Sequence, residues 1–252
     1  KMTYESITVT RGDTDYEYLV CPTHGKWLYI THSPRGSVVY GKHYCEKCER
    51  EAAEQEAWGR SGIPPRFQVK TFDAYEATSE EQRKALGICR RYAETFTERL
   101  ANGDSLVMAG APGTGKTHLA CAIGGEVVRS GRSALFLSMR ELVTRVTDTW
   151  GGKGSEATEL AALTKPDLLI IDEVAGESGS DTERRVFFAV LNARYESLRP
   201  VILITNAGAA ALKSYLGERA YSRLCETAGL ILFTWGSHRG DRLTMKKWEV
   251  QA

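Results

Sequence analysis

Gly110-Ala111-Pro112-Gly113-Thr114-Gly115-Lys116-Thr117 is the stretch on which the reading of this chain turns. It matches GxxxxGK[ST], follows the compact apolar run Ser105-Leu106-Val107-Met108, and leads into HLACAIGGEVVRS, which favours helix. Glycines let the backbone fold so that successive N–H groups point inward at a phosphate, and the helix N-terminus adds its positive dipole end. Lys116 reaches the β and γ phosphates of a bound triphosphate, and Thr117 offers a hydroxyl to Mg2+. A glycine-rich turn alone binds nothing; the strand before it and the helix after it make this one a phosphate site.

Outward from that loop the chain reads as α/β. Short apolar runs recur at SALFLS, DLLIID, PVILIT and GLILFT, separated by helical segments, as in a buried parallel sheet. With the strand before the loop they predict a five-stranded, parallel, doubly wound sheet with its ligand at the carboxyl ends of the strands. Leu168-Leu169-Ile170-Ile171 ends in Asp172-Glu173. Asp172 is the expected Mg2+ partner and Glu173 the base that orients or deprotonates an attacking water. Val201-Ile202-Leu203-Ile204 ends in Thr205-Asn206, where the amide reads equally as a turn former and as a group that places the water.

The chain has 252 residues, 42% hydrophobic and 26% charged, with a net charge of +1. One medium α/β domain plus a small appendage fits that length. Near-neutral charge argues against a broad basic surface that grips duplex DNA by neutralising phosphates. No apolar run is long enough to span a bilayer and KMTYESITVTRGD lacks a signal-peptide core, so no membrane partner and a cytoplasmic location are expected.

Cys21-x2-His24 and Cys45-x2-Cys48 supply three thiols and an imidazole, a donor set suited to tetrahedral Zn2+. The intervening KWLYITHSPRGSVVYGKHY predicts a β-hairpin between the pairs, and hence a zinc ribbon in which the metal is structural. His32 and His43 compete for ligation but fall in no x2 pair. The expected boundaries are 1–58 for the zinc module, 59–77 for a linker broken at Gly62, Pro64 and Pro65, and 78–252 for the ATPase domain. From Thr78 a single amphipathic helix, EEQRKALGICRRYAETFTERL, is expected to lead into the first core strand.

The ordered set GAPGTGKTH, LLIIDE and ITN, with GERAYSRL and WGSHR after it, resembles the bacterial and phage replicative helicase loaders related to DnaC and DnaI. GIPPRFQVKTFDAY looks like the segment before the AAA+ core in that family and in the IstB transposition helpers. The similarity covers about Ile63 to Gly240. It implies an AAA+ fold, ATP held by the stretch from Gly110 through His118, a sensor at Asn206, and an arginine finger at Arg223 acting on a neighbouring subunit's nucleotide. It also implies a sensor-2-like role for Arg239. Read without the family, either arginine is equally a surface residue, and Arg219 is the rival for the finger.

The implied activity is ATP hydrolysis coupled to binding a DnaB-type helicase and placing it on single-stranded DNA, with self-association through the ATPase domain. Arg140, Arg145, Trp150 and Lys153 could contact that DNA, or form a solvated helix and loop. By the same resemblance the zinc module contacts helicase; Lys26, Arg35, Lys42 and Lys47 support nucleic acid instead. The alternative function is an IstB-like transposition regulator assembling on duplex DNA.

Overall fold

The computed structural model describes residues 4–11, 13–32, 38–152, 154–175 and 179–238. The chain divides into two units, Lys1–Glu56 and Ala57–Ala252.

In the first unit, strands β1 (Glu5–Arg11), β2 (Thr14–Cys21), β3 (Gly25–His32) and β4 (Val38–Tyr40) form one antiparallel sheet in chain order. The hairpin expected between the ligand pairs is β3–β4, with Ile30 opposite Tyr40 and His32 opposite Val38. The sheet is larger than a ribbon hairpin, because β1 and β2 precede it. Their alternation of Ile7, Val9, Tyr16, Tyr18 and Val20 with polar residues is a period-2 signal. It pairs Ile7 with Tyr18 and Val9 with Tyr16. Helix α1 (Glu46–Arg60) follows, with Glu46 and Glu49 favourably placed in its first turn. Among the described residues of this unit only Cys21 and Cys45 are buried. So little apolar burial cannot hold a small fold by itself.

The second unit is the expected sheet with helices on both faces. After α2 (Pro65–Gln68), α3 (Glu80–Glu94) and α4 (Phe96–Asn102) come β5 (Ser105–Gly110), α5 (Lys116–Arg129), β6 (Ala134–Ser138) and α6 (Met139–Thr147). A 3-10 turn at Asp148–Gly151 precedes α7 (Glu156–Thr164) and β7 (Leu168–Val174). Then α8 (Asp181–Glu196), β8 (Val201–Thr205), α9 (Ala209–Thr227) and β9 (Ala228–Phe233) complete the unit. The strands are parallel in the order β6-β7-β8-β5-β9. Period-2 geometry splits each apolar run between two cores. Leu106, Met108, Ile170 and Ile202 pack with residues of α3 and α5, while Val107, Leu169, Ile171 and Leu203 pack with residues of α6 to α9.

Two expectations are revised. The 59–77 stretch is no linker, since Ile63, Phe72 and Tyr75 are buried in the first core and Phe136 N–H donates to Ser61 O at 2.7 Å. Those apolar residues follow neither the helical nor the strand period, so patterning does not reveal their burial. The single helix expected from Thr78 breaks at Thr95, whose hydroxyl donates back to Arg91 O at 2.7 Å. Helix α9 is likewise two helices joined at Gly217, whose φ of 74° suits glycine.

Arg194 is fully buried and has no carboxylate partner among the described residues. Its guanidinium donates to the carbonyls of Leu163, Thr164, Pro166, Asp167 and Pro200 at 2.8–3.3 Å, tying the end of α7 to the entries of β7 and β8. Five short-range carbonyl partners offset the desolvation that burial imposes on the cation.

Candidate nucleotide site and metal centre

The loop between β5 and α5 has the left-handed turns its glycines permit, with φ of 79° at Gly113 and 95° at Gly115. A Cβ at Gly115 would lie 2.7 Å from Tyr75 Cε2, and one at Gly110 would collide with the carbonyl of Phe233. Glycine is therefore required at both positions by close neighbours as well as by backbone angle. Pro112 stands in the exposed outer turn, and Thr114 Oγ1 donates to Ala111 O at 2.8 Å inside it. Lys116 is buried, with Nζ donating to Gly110 O and Ala111 O at 2.7 and 2.8 Å.

Thr117, in the first turn of α5, donates from Oγ1 to Asp172 Oδ2 at 2.8 Å. The other oxygen of Asp172 accepts from Glu173 N–H at 2.8 Å. Glu173 is exposed and has φ of 62°, a left-handed value that costs a non-glycine residue about 1–3 kcal/mol. The β7–β8 register shifts between Ile171 and Val174, across the two acids. Strain at such a position is a mark of functional geometry. Beside it, Thr205 Oγ1 donates to Val174 O at 2.7 Å, and Asn206 emerges exposed from the end of β8. The structure thus gathers Lys116, Thr117, Asp172, Glu173 and Asn206 at the carboxyl ends of β5, β7 and β8.

A second layer closes on the loop. Trp235 Nε1–H donates to Thr114 O at 2.9 Å, and His238 N–H donates to Gly113 O at 2.9 Å. Tyr75 also points its hydroxyl at Thr114 O, 3.4 Å away, with burial pushing that hydroxyl up to about 12 so that it stays a donor. His118 packs edge-on to Tyr75 at 5.2 Å and donates from Nε2 to Thr71 O at 2.8 Å. Burial, with Lys70 and His238 adding to it, holds His118 below its ordinary range, so it is a neutral packing group next to the loop. Tyr75 and Trp235 carry no sequence signal beyond lying in the GIPPRFQVKTFDAY and WGSHR stretches.

The arginines behave differently. Arg223 lies in the last turns of α9, beside a small cavity lined by Gly103, Ser105, Leu198 and Val201. Ser105 and Val201 begin β5 and β8, so Arg223 sits at the amino ends of the strands, roughly 18 Å or one strand length from its own phosphate loop. Its guanidinium stacks 5.1 Å from the Tyr195 ring, and Nη1 is buried without a hydrogen-bond partner. Arg219 is exposed on the same helix. Arg239, like Lys153 and Arg35, lies outside the described residues. Arg145 pairs with Glu159 at 2.6 Å, and Trp150 donates to Glu156 at 2.7 Å beneath the Arg185 guanidinium at 4.4 Å. Those partners occupy part of the surface that nucleic acid would need; Arg140 remains exposed.

In the first unit the four expected metal donors converge. Cys21 ends β2, His24 sits in the β2–β3 turn, Cys45 precedes α1, and Cys48 is in its first turn. Their ligand atoms all lie within 4.8 Å of one another, with His24 Nδ1 at 3.3–3.6 Å from the three sulfurs. Tetrahedral Zn–S and Zn–N bonds of about 2.0–2.3 Å require donor separations of this size. The remaining ring nitrogen, Nε2, is 2.9 Å from Glu51 Oε1, the second-sphere carboxylate that orients a ligating imidazole. Neither His32 nor His43 belongs to this group.

Residues 44–224 match the family model described as IstB-like ATP binding protein. The replicative helicase loader DnaC of Escherichia coli strain K12 is 34% identical over 205 residues, covering 81% of this chain and 82% of that protein. DnaC of Buchnera aphidicola subsp. Acyrthosiphon pisum is 36% identical over 188 residues, 73% of this chain and 75% of that one. Among solved structures, the DnaC helicase loader aligns with a TM-score of 0.62 at 26% identity, covering 67% of this chain and 99% of that chain. DnaI aligns with a TM-score of 0.58 at 21% identity over 67% and 93%, a likeness of fold.

Proposed function

Because the chain belongs to the IstB-like ATP-binding family and, within it, to the helicase loaders related to DnaC, we propose that it is an ATP-hydrolysing loader. It binds a DnaB-type replicative helicase and assists its deposition on single-stranded DNA. The family is AAA+ and ATP-binding, and similarity to DnaC supports the replication role. Hydrolysis, helicase contact, DNA contact and a cytoplasmic location are what the proposal adds.

The observation that carries it is the Thr117–Asp172 contact at 2.8 Å beside a glycine-rich loop with left-handed turns at Gly113 and Gly115. The loop from Gly110 through Thr117 and the start of α5 cradle the phosphates, with His118 packing behind them. Lys116 exchanges its two loop carbonyls for phosphate oxygens. Thr117 and Asp172 are the oxygens that would hold Mg2+, whose charge offsets that of the triphosphate when bound. Glu173 takes a proton from the attacking water, and Asn206 orients that water. Arg223 serves a neighbouring subunit's nucleotide, since one strand length separates it from its own. Arg239 is assigned to the sensor-2 position by family resemblance.

In the first unit, Cys21, His24, Cys45 and Cys48 fit Zn2+. All four positions are filled by protein, so the metal replaces a missing core and leaves no site for chemistry. This module is assigned to helicase contact.

Co-purification with a DnaB-type helicase tests the loader reading. Retention of the helicase in the presence of ATP supports it. No retention, together with ATP-dependent assembly on duplex DNA, would move the protein to the IstB-like transposition reading.

A further inference from the structure

Gln82 lies at the third position of α3, where its side chain completes a capping box with Ser79. The oxygen Oε1 accepts from Thr78 N–H at 2.6 Å, Thr78 Oγ1–H at 2.8 Å and Ser79 N–H at 2.8 Å. Two backbone donors settle which end of the amide is which, so the NH2 group is the end left to point away from the cap. That nitrogen is 2.9 Å from Nε2 of His238, 156 residues later in the chain. A donor facing Nε2 requires that nitrogen to be unprotonated and to accept.

Capping is satisfied equally by glutamate or glutamine at this position. Only glutamine, however, can cap through its oxygen and still present a donor to His238. The far side of His238 is equally engaged. Its backbone N–H donates to Gly113 O in the phosphate loop, and Trp235 of the same segment donates to Thr114 O. Among the described residues, the ionisable groups placed against the His238 ring are Tyr75, with ring centroids 6.4 Å apart, and, behind it, His118 of α5. Tyr75 stays protonated and His118 stays neutral and bonded to Thr71 O, so neither supplies a counter-charge for an imidazolium at 238.

We infer that Gln82 is a positioning residue of the nucleotide site: it holds His238 only when Nε2 is unprotonated, and through it seats the 235–238 segment on the phosphate loop. This role rests on the nucleotide-binding reading above. Protonation of His238 sets two donors against each other, and the segment loses its tether to α3. Nucleotide affinity therefore falls where His238 is protonated, by about fivefold, the size of one net hydrogen bond.

The test is the dissociation constant of a fluorescent ADP for the full chain between pH 6.0 and 8.5, compared with two variants. Gln82→Glu keeps the cap and replaces the donor by a carboxylate, which favours protonated His238. Its affinity relative to the unmodified chain should rise toward pH 6.0, reversing the slope; taking this ratio cancels the nucleotide's own titration. His238→Asn leaves α3 untouched and offers Gln82 an acceptor that does not titrate, so its affinity relative to the unmodified chain should also rise toward pH 6.0, less steeply than that of Gln82→Glu. Parallel profiles for all three proteins would overturn the role while leaving nucleotide binding intact. Failure of the unmodified chain to bind at any pH would overturn the nucleotide reading and this role with it.

Discussion

Thr117 Oγ1 donates to Asp172 Oδ2 at 2.8 Å, joining the first turn of α5 to the end of β7 although β8 lies between β5 and β7 in the sheet. Adjacent oxygen ligands of an octahedral Mg2+ stand about 2.9 Å apart, so the two side chains are already at ligand spacing. The β7–β8 register shifts just after Ile171, across Asp172 and Glu173, and Glu173 is exposed with φ of 62°.

Glu173→Gln keeps the shape of the side chain and removes its basicity. ATP affinity should stay within about twofold, while turnover falls by about 10²–10³, the usual contribution of a general base. Steady-state phosphate release together with nucleotide titration checks both halves. Unchanged turnover would remove Glu173 from the role.

Arg223 stands too far from its own loop to act there. Lys116→Ala and Arg223→Ala proteins should each hydrolyse ATP poorly, while a mixture recovers part of the activity because one subunit supplies the loop and the other the arginine. Measuring turnover against mixing ratio gives a maximum between the pure variants. A straight line joining two inactive ends, under conditions where assembly is verified by light scattering, would exclude a shared site.

Metal analysis should find one Zn2+ per chain, and Cys48→Ser should lower that content and expose the first unit to proteolysis. The ligands bind as thiolates and neutral imidazole, so retention is greatest at neutral to alkaline pH and is lost as pH falls and protons compete for the donors. A first unit that stays protease-resistant after complete zinc removal would contradict a structural metal.

Replacing Arg194 by leucine leaves five carbonyls without their donor, two of them in buried hydrogen bonds and three in part-buried ones. Urea unfolding should show a loss of about 3 kcal/mol or more, since each unsatisfied group costs on the order of 1–3 kcal/mol. Arg194→Lys, with a single point of donation, should recover only part of it. A loss below about 1 kcal/mol for the leucine variant would show that the carbonyls find other donors.

The parts that sequence makes legible are those in which one local segment carries its own signal. The phosphate loop, the acid pair near the end of β7 and the Cys/His pairs are fixed spacings of specific chemistry, and the five core strands are continuous apolar runs. What escapes is what depends on distant segments meeting. Tyr75 against Gly115, Trp235 on Thr114 O and Gln82 on His238 join residues 40 to 156 positions apart. Their types are ordinary for a helix cap or a loop. The burial of Ile63 and Phe72 in a Pro/Gly-containing stretch escapes for the same reason, and so does Arg194, an arginine on a helix that looks solvated until its five carbonyls are seen. The β1–β2 pair is a different case: its alternation is visible in ESITVTR and TDYEYLVC, but weak strands of an exposed sheet carry few fully apolar residues.

The most direct measurement is a crystal structure of the chain with a non-hydrolysable ATP analogue and Mg2+. The triphosphate should lie along Gly110 to Thr117, with Lys116 Nζ moved from the carbonyls of Gly110 and Ala111 to a phosphate oxygen and the metal touching Thr117 Oγ1 on the side of Asp172. A nucleotide bound elsewhere, or a loop in which Lys116 keeps both carbonyls at saturating analogue, would contradict the proposed ATPase.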